Sequence, residues 1–134
     1  MTQLEYAKKN MITPLMRRIA AVEGITAKSL CSLIKQGVVV IPANAHRALK
    51  QPCAVGKGLR TKINANIGTS TDKCSLGEEL KKLQAAQRYG ADCVMDLSVG
   101  GDLRTIRAKI LAECRIPLGT VPVYEVAVNA QEKR

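Results

Sequence analysis

The stretch KINANIGTS, Lys62–Ser70, decides how the rest of the chain reads. It has the rhythm of a strand, yet it carries Asn64 and Asn66 two positions apart, so both point to one face, and it runs into Gly68. Strands disfavour asparagine, so two on one face suggest a polar group to be held. An amide both donates and accepts hydrogen bonds. Gly68 permits a turn, and Thr69-Ser70-Thr71 adds hydroxyls and N–H groups of a kind that phosphate uses.

Outward from this stretch the chain alternates. Strand patterns are expected at about 61–67, 91–99 and 120–126. Between the first two, Ser75-Leu76-Gly77-Glu78 has the form of a capping box, opening a helix with Leu76, Leu80, Leu83 and Ala86 that closes at Gly90. Between the second and third, a helix from Asp102 carries Leu103, Ile106, Ile110 and Leu111 and is stopped by Pro117 and Gly119. The order β-α-β-α-β predicts an α/β fold with a parallel sheet.

Asn66, Met95 and Tyr124 recur at equal intervals of 29 positions, each late in its expected strand. A (β/α)8 barrel of about 250 residues devotes roughly 31 to each unit, and doubly wound sheets show similar steps. In both, ligands bind beyond the carboxyl ends of the strands. The second strand end adds Asp96 and Ser98, the third adds Glu125. Each residue also has a plain packing reading: Asn64 satisfying backbone, Met95 in a core, Tyr124 half-buried. Their equal spacing favours a shared site.

Upstream, Leu4, Met11, Ile12, Leu15, Met16, Ile19 and Val22 predict a short helix, a break, and a second helix starting at Thr13-Pro14 and ending at Gly24. A third runs from Thr26 to Gly37 with Leu30, Cys31, Leu33 and Ile34 on one side. The run Val38-Val39-Val40-Ile41 then suits a short buried strand, and 43–60 reads as irregular. The domain expectation is a helical segment at 1–37 followed by barrel units at 38–134.

With 134 residues, 46% apolar, no Phe, no Trp and three Tyr, one domain with an aliphatic core is expected. The net charge of +10 raises the question of a polyanionic partner. The densest groups, Lys8-Lys9, Arg17-Arg18 and Lys81-Lys82, are short and lack interleaved aromatics, so a solvated basic surface is expected, with no nucleic acid and no membrane as partner. Cys31, Cys53, Cys74, Cys93 and Cys114 lie 22, 21, 19 and 21 positions apart, with no compact metal-ligand run. Free thiols and the lack of a long apolar run fit a cytoplasmic setting, with no metal site of the chain's own.

The segments TQLEYAKKNMITPLM (2–16), VVIPAN (39–44), GKGLRTKINANIGTS (56–70), GADCVMDLSVGGDL (90–103) and IPLGTVPVYE (116–125) closely resemble the phosphomethylpyrimidine synthase family. These are radical S-adenosylmethionine enzymes of thiamin biosynthesis. The resemblance implies a (β/α)8, TIM-type barrel, incomplete in this chain and preceded by short helices. It implies a small-molecule substrate, 5-aminoimidazole ribonucleotide, rearranged to 4-amino-2-methyl-5-(phosphomethyl)pyrimidine.

Carried over by position, the family's substrate contacts fall on Asn66, Met95 and Tyr124, with Asn64, Asp96 and Ser98 as neighbours; no catalytic residue is assigned. The resemblance also implies S-adenosylmethionine, a [4Fe–4S] cluster and zinc in the full-length family, whose ligands are not among these residues, and a homodimer. The chain departs from the pattern at His46-Arg47, where a surface-loop role for His46 is expected, at Glu125 in place of the usual glutamine, and in stopping at Arg134.

The leading expectation is therefore a truncated first part of a lyase of this family, inactive alone. One alternative is the related 5-hydroxybenzimidazole synthase of cobamide synthesis. Another is a non-catalytic assembly module that pairs with a complementary C-terminal fragment.

Overall fold

A computed structural model describes residues 1–44 and 47–132. The described chain forms two compact units, the first Met1–Thr61 and the second from Lys62 onward.

In the first unit, short polar residues start each helix. Helix α1 (Gln3–Lys8) opens with a reciprocal box in which the Thr2 hydroxyl accepts from the Glu5 N–H and Glu5 accepts from the Thr2 N–H. Helix α2 (Pro14–Glu23) has Thr13 accepting from the Met16 N–H at 3.1 Å, and Gly24 at φ +67° ends it. Helix α3 (Ala27–Lys35) starts from Thr26, which accepts from the Ser29 N–H at 3.0 Å. Met16, Ile19, Leu30 and Ile34 join Val39 and Ile41 in one aliphatic core.

The strand expected at Val38–Ile41 is present as β1 (Val39–Val40), paired antiparallel with β2 (Val55–Gly56) inside the stretch expected to be irregular. A two-stranded ribbon covers only one of its faces, so Val39 is 5% exposed and Val40 58%. This unit therefore takes in the Val38–Ile41 run together with the helices.

The second unit is a parallel α/β layer. It runs β3 (Asn64–Ile67), α4 (Leu76–Arg88), β4 (Cys93–Asp96), α5 (Leu103–Glu113), β5 (Leu118–Thr120) and α6 (Pro122–Glu132). The strands lie in the order β3-β4-β5, all parallel, and the sheet is open. Ile67 and Val94 pack with Leu83 of α4 and Ile106 and Ile110 of α5, joined by half-buried Ala65 and Leu118. Burying side chains such as Leu83 and Ile110 stabilises the layer by about 1.5–3 kcal/mol each. The alternate residues Asn64, Asn66, Met95 and Gly119 occupy the opposite face of the sheet.

The third strand differs from expectation. It is Leu118–Thr120, and residues from Pro122 are helical, so Tyr124 lies in the first turn of α6 and not late in a strand. Proline has no N–H for a sheet ladder, while its fixed φ suits the first position of a helix. The Gly119 that was expected to stop α5 lies inside β5 instead.

Candidate functional site

The open face of the parallel sheet is built from adjacent rows. Asn66 of β3 is the register partner of Met95 of β4, which in turn partners Gly119 of β5. The Asn64 side-chain amide donates to the Asn66 side-chain Oδ1 at 3.1 Å, and both residues are exposed. One mutual bond leaves each amide with further donor and acceptor capacity. Gly119 makes room for Met95, since a Cβ there would lie 2.9 Å from both Sδ and Cε of the thioether.

Asn64, Asn66 and Met95 thus lie together on one sheet face, with two of the three equally spaced residues, Asn66 and Met95, in register. Tyr124 is not part of this row: the 29-residue interval holds from Asn66 to Met95, but the next register partner is Gly119, and Tyr124 is 40% exposed on α6.

Asp96 and Ser98 serve the loops at the carboxyl ends of the strands. Asp96 is 5% exposed, and its Oδ1 accepts the Ser98 N–H at 3.0 Å and the Ser98 hydroxyl at 2.5 Å. The same Ser98 oxygen accepts from the Thr69 N–H at 3.1 Å, while the Thr69 hydroxyl donates to the Gly100 carbonyl at 2.6 Å. The loops after β3 and β4 are therefore stitched together. The Thr69 N–H and hydroxyl, expected to be open to phosphate, are used in this seam, and the Ser70 N–H donates to the Lys73 carbonyl.

Close approach of the two loops demands glycine. A Cβ on Gly68, at φ +149°, would lie 2.7 Å from backbone atoms of Leu97 and Ser98, and one on Gly100 would lie 2.1 Å from the Ser70 carbonyl oxygen.

Two contributors escaped the sequence reading. Glu79, 2% exposed, accepts the Gly68 N–H at 2.7 Å and pairs with Lys82 at 2.7 Å. The signal pointed one residue earlier: Ser75 caps α4 by accepting the Glu78 N–H, but the Glu78 carboxylate pairs with Lys73 at 2.9 Å. The second is Arg107 of α5, which grips Glu125 of α6 with two nitrogens at 2.6 and 3.4 Å; Arg104 lies 3.7 Å from the same carboxylate. The Arg107 hydrogen bond holds the Glu125 carboxyl below its ordinary range, and the pair raises the guanidinium in turn. Asp96, Ser98, Arg107, Thr120 and Glu125 line a cavity of about 20 Å³ at the strand ends. Beside it, Asp102, Arg104, Glu125 and Asn129 border an open cleft of about 380 Å³.

Cys93 also lies on the open face, where burial first and Asp92 second push its thiol up. Among the described residues no three His, Cys, Asp or Glu side chains converge as a metal site. Cys31, Cys53 and Cys114 are buried in the two cores or beside them, so the cysteines do not fit an iron–sulfur ligand set. His46 lies outside the described residues. No helix among the described residues is long and apolar enough to cross a membrane.

A parallel layer of three strands with helices packed on one face and glycine-bearing loops at the carboxyl ends of its strands defines an α/β protein. Within that class the chain belongs to the Radical SAM ThiC family, whose sequence model matches residues 2–134. It is 54% identical over 133 residues to a phosphomethylpyrimidine synthase of Thermodesulfovibrio yellowstonii, covering 99% of this chain and 31% of that protein. It is 48% identical to the Moorella thermoacetica phosphomethylpyrimidine synthase and 47% to that of Methanococcus maripaludis strain C7, each again over 99% of this chain and 31% of the relative. The chain thus spans about a third of the length of the curated relatives it matches.

Proposed function

We propose that this chain supplies the first βα units of a (β/α)8 thiamin-pyrimidine synthase that converts 5-aminoimidazole ribonucleotide into 4-amino-2-methyl-5-(phosphomethyl)pyrimidine. Family membership and the name that the relatives carry, phosphomethylpyrimidine synthase, support this reading. The observation that carries it is the Asn66–Met95 pair, side by side on the sheet face that the helices leave open. In a barrel that face would be the interior wall.

In this role Asn66 hydrogen-bonds polar edges of the ribonucleotide, with Asn64 holding its amide, and Met95 gives an apolar, polarizable surface to the imidazole. Tyr124 contributes a phenol from the first turn of α6. Asp96 and Ser98 act in support, fixing the loop seam at the rim. S-adenosylmethionine with a [4Fe–4S] cluster would supply a 5′-deoxyadenosyl radical in the complete enzyme. The described residues of this chain do not fit that cluster or a zinc site.

The test is a hybrid in which this chain replaces the matching segment of the Thermodesulfovibrio yellowstonii synthase, titrated calorimetrically with 5-aminoimidazole ribonucleotide. Asn66→Ala is expected to weaken binding by about 1–3 kcal/mol, the scale for leaving a polar partner unpaired. An unchanged affinity in a folded hybrid overturns the assignment.

A further inference from the structure

Helix α6 is held unlike the other helices. Thr2, Thr13, Thr26, Ser75 and Asp102 each cap a helix by accepting a backbone N–H, but Val121, which precedes α6, has only a hydrocarbon side chain. None of the α6 residues from Pro122 to Ala130 is buried, and Val123 and Val126 are 64% and 66% exposed. Glu125, 22% exposed, ties the helix to α5 through the two-nitrogen grip of Arg107, with Arg104 alongside. Planar two-point pairing of guanidinium with carboxylate fixes orientation as well as distance. Asp96, at the tip of β4, lines the same small cavity as Arg107 and Glu125.

We propose that Arg107 is the positioning residue for Tyr124: acting through Glu125, it sets the first turn of α6 and hence where the adjacent phenol stands at the strand-end rim. The inference rests on the ribonucleotide site proposed above for its functional meaning, but not for its geometry.

Two measurements separate these parts. The chain has three tyrosines and no tryptophan, so Tyr6→Phe with Tyr89→Phe leaves Tyr124 as the sole fluorophore of the full chain. Arg107→Met and, independently, Glu125→Ala are expected to lower its fluorescence anisotropy and raise its quenching by acrylamide. Arg107→Lys, which keeps the charge but not the two-point grip, is expected to retain part of the anisotropy and part of the protection from quenching. An anisotropy and quenching unmoved by either single change overturns the proposal. Glu125→Ala alters one partly exposed side chain of a lightly packed helix, so it stands as the test if Arg107→Met fails to fold.

In the hybrid synthase, Arg107→Met is expected to weaken 5-aminoimidazole ribonucleotide binding about tenfold, and to have little further effect once Tyr124→Ala is present, as residues acting in series do. Equal losses with and without Tyr124 mean that Arg107 acts on general stability, and the proposal falls. If Tyr124→Ala alone leaves affinity intact while the fluorescence responds to Arg107, the positioning stands and Tyr124 leaves the substrate site.

Discussion

Asn66 and Met95 stand opposite each other across the parallel β3–β4 pair, 29 positions apart in sequence and neighbours in space, on the face that α4 and α5 do not cover. The row ends at Gly119, whose missing side chain leaves the thioether its place.

Gly119→Ala therefore tests the row without touching the core. The new Cβ would meet only the flexible end of Met95, at 2.9 Å, so the cost to stability is expected to stay below about 1.5 kcal/mol. The displaced thioether should still weaken ribonucleotide binding in the hybrid. Chemical denaturation and calorimetry on the same variant read the two effects separately, and a stable variant with intact affinity would argue that Met95 has no part in binding.

Gly68→Ala and Gly100→Ala should behave otherwise. Their Cβ atoms would run into backbone, at 2.7 Å and 2.1 Å, and Gly68 is also at φ +149°. Overpacking and backbone strain together predict losses of about 2–4 kcal/mol. Losses smaller than that range, measured by urea denaturation, would show that the two loops part easily.

Ser98→Ala removes the hydroxyl that links Asp96 to the Thr69 N–H. Leaving a part-buried donor without its acceptor costs about 1–3 kcal/mol. Amide exchange should accelerate most at Thr69; a uniform change along the chain would contradict a local staple.

Acid should loosen the protein from a defined point. Hydrogen bonds from Thr2 at Glu5, Lys73 at Glu78 and Arg107 at Glu125 hold these carboxyls below their ordinary value of 4.5, and Thr105 holds Asp102 below 3.8. A carboxyl depressed in the folded state contributes stability that is complete above its unfolded pKa and is lost as pH falls through the folded one. The denaturation midpoint is expected to be level on the neutral side of pH 4.5 with respect to these groups and to drop below it. Replacing Glu125 by Ala should make that drop shallower.

The sequence by itself determined helices α1 to α5 and the parallel alternation, because their signals are local. Thr13 before Pro14, Thr26, Ser75 and Asp102 mark helix starts through bonds that span three residues, and the apolar spacing of α4 and α5 fixes which side they bury. It also determined the family, since long motifs carry more information than any single position, and it selected Asn66 and Met95 because one βα step brings like positions to like heights.

Only the tertiary structure decided the rest. The third strand ends at Thr120, and the proline inside the expected strand starts a helix instead, because a proline cannot donate to the ladder. Asp96 and Ser98 went to the loop seam, Glu79 to the Gly68 N–H, and Arg107 to Glu125 across 18 residues. Such partners are chosen by which backbone and side-chain groups lose water together when the layers pack, and that pairing has no period for a sequence to display.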